Sequence, residues 1–273
     1  MLIQPATTRE CERLFRREVE RRGHRFDRYK KQWRQPAAAL AVVQAQNHET
    51  VSGVTADTVN ITTTAGNLLV AQVRQGSNNT STATMSDSSG TNVWTQTASG
   101  YNTSASTTRS AMFFVPNAAA VTSITVTWSG VLSTRVSIMV YEISGAAASS
   151  VLDSDVNSSN AANATSLTSG SLTTANANDI LIYAVNVGAD QTTWTVGAGY
   201  TFPANATGNR QAMQYQIVSA TQSAVTTSMT WGATTKSASF FAAFKAAASG
   251  LLPNIDFVPG GGRGIDPSCT VSY

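Results

Sequence analysis

The side chains best suited to chemistry in this 273-residue chain are few: His24 and His48, Cys11 and Cys269, and the carboxylates Asp87, Glu142, Asp153, Asp155, Asp179 and Asp190. A nucleophilic triad needs an imidazole held between an acid and a hydroxyl or thiol. Both histidines and Cys11 precede residue 50, and Cys269 stands near the other end. A zinc site lacks ligands for the same reason. Glycoside hydrolysis needs two carboxylates across a cleft, and no spacing singles out a pair. The runs SDSSGTN (86–92) and LDSDVNSSN (152–160) carry oxygen ligands of the kind Ca²⁺ takes, but neither has EF-hand spacing and both read as turns. GGGRG (260–264) is not followed by a helical pattern, so it is no phosphate loop. The chain is expected to be no enzyme, with no cofactor and no metal.

The elements that would have to position any such groups come from a repetition. NVWTQTASGY ends at Tyr101, and TTWTVGAGY ends at Tyr200. Trp94 and Trp194 stand 100 residues apart, Trp128 and Trp231 103 apart, and RSAMFF (109–114) is echoed by RQAMQY (210–215). Rare residues recurring in order at near-constant spacing mark an internal repeat. Residues 50–147 and 160–247 are therefore expected to be two copies of one β unit. In SITVTW, Ile124, Val126 and Trp128 alternate with Thr125 and Thr127, the signature of a strand with one face in a core. RVSIMVYEI and SASFFAAFKA are apolar on both faces, as central strands are. The four tryptophans 94, 128, 194 and 231 are expected in the repeat's core; a sugar-stacking platform of Trp94, Tyr101, Trp194 and Tyr200 is the other reading. Arg109 and Arg210, also repeated, are expected to meet a carboxylate or cover an aromatic face. The expected fold is all-β, an antiparallel sandwich of jelly-roll type with one interior shared by both copies.

The ends differ from this body. Residues 1–36 hold 11 Lys and Arg against 5 Asp and Glu, whereas the rest holds 7 against 10. TTRECERLFRREVERRGHRFDRYKKQW (7–33) predicts a helix: Thr7 and Glu10 form a capping box, and Phe15, Val19, Phe26, Tyr29 and Trp33 follow a heptad rhythm. That stripe has three ways to be buried: back on the sandwich, on copies of itself, or on a larger partner. Its interleaved acids give i,i+4 pairs and do not favour nucleic acid as the partner. Residues 249–273 are Pro- and Gly-rich with apolar anchors Leu251, Leu252, Ile255 and Phe257. They read either as a flexible tail or as an extended arm on a neighbouring subunit. The organisation is thus 1–36, a basic anchor; 37–248, the duplicated sandwich; and 249–273, the arm. Two distant cysteines make no disulfide framework. Nothing approaches the ~20 apolar residues of a membrane span. AAALAVVQAQ (37–46) has too long a charged lead to be a signal peptide.

TTAGNLLVAQV (63–73), DSSGTNVW (87–94), YEISGAA (141–147) and TWGATTKSASFFAAFKAA (230–247) resemble a loosely defined β-sandwich domain of tailed-phage virion proteins and bacterial surface or secreted proteins. The resemblance covers about residues 45–247. It implies a display or adhesive module and supplies no catalytic residues. A virion location is expected, because no secretory leader is read here. The expectation is a non-enzymatic virion structural protein (a capsid decoration, head-fibre or accessory subunit) bound to other virion proteins and to its own copies. The alternative is a carbohydrate-binding or host-adhesion module of a tail or cell surface, with a host glycan as partner.

Overall fold

A computed structural model describes residues 13, 17, 25–27, 32–35, 38–76, 80–104, 108–130, 133–248, 250–251, 256–259 and 269–272. Arg13 and Arg17 are helical, and every other element among these residues is a strand, paired antiparallel with its neighbours. The chain forms two compact units, Ala39–Ala247 and a smaller one of Met1–Ala38 with Ala248–Tyr273.

In the smaller unit, β1 (Arg25–Asp27) pairs with β2 (Gln32–Gln35), setting Phe26 opposite Trp33. The helix expected over 7–33 is corrected here for its second half. Gly23 costs a helix about 1 kcal/mol relative to Ala, and aromatic residues favour strands. An i,i+7 spacing also fits a hairpin whose turn lies midway between the two positions. Phe15, Val19 and Tyr29 lie outside the described residues.

The described residues of the larger unit form three sheets. The first has β3 (Ala41–Val54), β11 (Ser133–Ser144), β5 (Leu68–Gln75), β9 (Thr108–Val115) and β7 (Thr95–Gln96) in that order, with β8 (Asn102–Ser104) also on β9. A three-stranded sheet of β4 (Ala56–Asn60), β10 (Ser123–Trp128) and β6 (Ala83–Asp87) covers one of its faces. The third sheet orders β12 (Leu152–Thr168), β16 (Ser228–Lys245), β13 (Asp179–Val187) and β15 (Gln211–Val218), with β14 (Trp194–Thr195) on β16. Taking the four main strands of each large sheet in chain order, both run first, fourth, second, third.

The burial pattern follows the side-chain alternation. In β10, Ile124, Val126 and Trp128 are buried and their neighbours are not. β5 is buried on both faces because its sheet is sandwiched: Leu68 and Val70 face the third sheet, and Leu69, Ala71 and Val73 face the cover. Burying each such side chain contributes roughly 1.5–3 kcal/mol. The single interior expected from the sequence is replaced by three. One lies between the two large sheets, with Val70, Phe114 and Tyr141 against Ile182, Met213 and Phe240. One lies under the three-stranded cover, and one lies within the second half, where Met229 and Trp231 fold over Tyr183 and Phe241. Each half closes a core of its own because β16 runs 18 residues and serves both layers, the work β10 and β11 divide between them.

Two segments read as turn or lead-in are strands. LDSDVNSSN opens the 17-residue β12, and residues 41–49 open β3. Both are edge strands paired with β16 or β11, and several of their polar side chains bond across to other parts of the body: Asp155 and Asn157 to the backbone of Ser99, and Asn47 to that of Asn205. At the C-terminal side, β17 (Gly250–Leu251) pairs with β2, placing Leu251 opposite Arg34. β18 (Asp256–Pro259) pairs with β19 (Cys269–Ser272), so Phe257 faces Val271 in register. Leu252, Ile255 and Cys11 lie outside the described residues. The basic start and the Pro/Gly-rich end, read from sequence as separate pieces, thus belong to one unit.

Candidate functional site

The repeated tryptophans divide between core and rim. Trp128 and Trp231 are buried, and each packs against a neighbouring ring: Tyr101 at 6.0 Å and Trp194 at 5.9 Å between centroids. Trp94 and Trp194 are half-buried over the two outer cores. Their polar surroundings differ. Trp94 Nε1 donates to Asp87 Oδ2 (2.8 Å), whereas Trp194 Nε1 donates to the Gly208 carbonyl (2.9 Å). Asp87 also accepts from the Ser89 amide and hydroxyl. Burial would raise its pKa, but the bonds from Ser89, Trp94 and Asn92 outweigh burial and hold it below the usual carboxylate range. DSSGTNVW is therefore a turn whose acid fastens an indole. Arg109 stacks 4.1 Å over the Tyr101 ring, and Arg210 Nε donates to Asp190 (2.6 Å).

A groove of about 440 Å³ opens beside the edge strand β3, where the first half meets the second. Asn47, His48 and Glu49 line it from β3, and Gln191, Thr192, Trp194 and 207–209 line it from the second half. Asn47 Nδ2 donates to the carbonyls of Asn205 (2.8 Å) and Thr207 (3.3 Å). Glu49 Oε2 accepts from Arg135 and Asn209, both at 3.1 Å. Arg135 reaches on to Asp190 (3.0 Å), and the Arg210 bond, then burial in the other direction, dominate a carboxyl held low. The bonds of Asn47 to 205 and 207, of Asn209 to Glu49 and of Arg135 to Asp190 tie the halves together beside the groove. What remains open is a half-buried indole flanked by amides and hydroxyls, an arrangement that stacks on a ring and hydrogen-bonds around it.

No protein-family model matches this sequence, and no curated protein or solved structure is significantly similar to it.

Two further groups were not legible in the sequence as sites. His48, read as part of a lead-in, stands within β3 with Nδ1 2.6 Å from Asp57 Oδ1. Asp57 is buried and also accepts from Thr50 Oγ1 (2.6 Å), so the acid orients the imidazole. A strand, a bend at Thr55 and a second strand bring these residues together, which spacing alone did not reveal. Among the described residues no group of three or more His, Cys, Asp or Glu is placed to hold a metal ion, and no helix is long and apolar enough to cross a membrane.

The second group is Asp179 with Asp153. Asp179 is fully buried; burial first, then the charge of Asp153, pushes its carboxyl up to about 7, against a weaker opposing pull from Lys245. Asp153 is held low instead: burial raises it, but bonds from the Asn176 and Ala175 amides prevail. A raised folded-state pKa means that the unfolded chain releases this proton first. The stabilisation is complete below about pH 4 and is lost as pH rises through 7. Asp179→Asn is therefore expected to raise Tm over wild type at pH 8, by up to about 4 kcal/mol of stability at roughly 1.4 per pKa unit. At pH 4 the two should melt alike. An equal difference at both pH values would refute the assignment.

Proposed function

We propose that this chain is a non-enzymatic structural subunit of a virion exterior, displaying a duplicated β-sandwich and attached through its terminal unit. The observation that carries this reading is the union of both chain ends in one small unit, through β2 and β17, carrying the basic excess of residues 1–36. The common strand order of the two large sheets supports descent of the body from one doubled unit of jelly-roll kind. The body is sparsely charged, and many of its polar side chains bond within the fold. A basic unit built from both ends is a device for being held, by copies of the chain or by other virion proteins. Removing 1–38 and 248–273 is expected to leave a folded body, since three cores lie inside 39–247. It is also expected to abolish self-association by light scattering and incorporation into particles by mass spectrometry. Normal incorporation of the trimmed chain would end the proposal.

The groove favours one second reading, a glycan-binding module. Trp194 with Asn47, Gln191 and Asn209 has the composition of a sugar subsite. Glycan-array binding that disappears in Trp194→Ala, with the fold intact, would establish it. A silent array would remove it and leave the structural reading standing.

A further inference from the structure

The layer between the two large sheets is apolar at one end and polar at the other. Register sets Glu49, Ser137, Arg74 and Ser110 in one row across β3, β11, β5 and β9. The facing row holds Ala238, Asn186 and Gln211. Asn186 Nδ2 donates to Ser110 Oγ (2.8 Å) and Ser137 Oγ to Gln211 Oε1 (3.2 Å), so these rows meet. Arg74 lies among them with 0% exposure, and its Nε and Nη1 have no hydrogen-bond partner. Gln72, next along the same face of β5, is equally buried with both amide atoms unpartnered. The charges acting on Arg74 are those of Arg210, Glu49, Arg135 and Asp190. Both of those carboxylates already pair with other side chains, Glu49 through Oε2 with Arg135 and Asn209 and Asp190 with Arg135 and Arg210, while Glu49 Oε1 is buried without a hydrogen bond. Three guanidiniums thus meet two carboxylates, and the uncompensated charge falls on the one that water cannot reach.

We infer that this buried layer binds a small monovalent anion of the halide class, chloride in ordinary buffers, against the Arg74 guanidinium and the Gln72 amide. A buried charge persists only when paired, because its desolvation costs several kcal/mol. Burial lowers the guanidinium pKa to about 10, which leaves it charged at neutral pH. Water would satisfy the donors but not the charge. One excess charge calls for a monovalent ion, and near-complete burial of Ser110, Ser137, Asn186 and Gln211 excludes a large one. The ion would sit between the two halves and tie their cohesion to the surrounding salt.

The test uses the full chain at constant ionic strength, exchanging chloride for methanesulfonate, which is too large for the layer. Wild type is expected to melt several degrees higher in chloride, with Tm rising with its logarithm. Arg74→Met is expected to ignore the exchange. Bromide-soaked crystals should show an anomalous peak beside Arg74 Nε. Equal wild-type melting in both salts, with no peak, would mean that water alone fills the layer and would overturn the proposal. Should Arg74→Met fail to fold, the wild-type exchange and the bromide peak still decide.

Discussion

Glu142→Leu is expected to cost the body about 3–5 kcal/mol, measured by urea unfolding. The carboxylate is wholly buried on β11 and accepts three bonds of 2.7 Å: from the Thr64 amide, Asn67 Nδ2 and Gln44 Nε2. It thereby fastens the turn around Gly66, whose φ of +92° an L side chain rarely adopts, to the middle of the sheet. Leucine fills the space but leaves the Thr64 amide and Asn67 Nδ2 without their acceptor, while Gln44 Nε2 keeps only the Thr62 carbonyl. Glu142→Gln keeps one acceptor oxygen and should lose about half as much. A leucine variant within 1 kcal/mol of wild type would show that the turn holds itself.

Trp128→Ala and Trp231→Ala are each expected to destabilise by roughly 3–5 kcal/mol, since both close an outer core. Phenylalanine separates them. Trp231 Nε1 donates to the Ala164 carbonyl (3.0 Å), whereas Trp128 Nε1 is buried without a partner. Trp231→Phe should therefore cost about 1 kcal/mol more than Trp128→Phe. Near-wild-type melting of both alanine variants would place the rings outside any core.

These two sites also mark how far the sequence could be read. The alternation around Ile124 and Trp128 announced a one-sided strand, and low charge with β-branched runs announced sheets. Glu142 could be seen but not interpreted, because its partners lie 75 to 98 residues away. The groove was hidden for the same reason: it joins residues 47–49 to 191–209, and the register between distant strands is not written in local spacing. β12 was missed because Ser and Asn are turn formers by propensity, and tertiary pairing overrode that preference. β1 and β2 were misassigned because a heptad spacing suits a short hairpin equally well.

The pairing of Gln35 with Gly250 brings the two ends of the intervening chain side by side, so the larger unit is in sequence one long insertion between two paired strands. A cassette mounted this way can be exchanged for another fold whose ends lie close together, with the fastening left as it is.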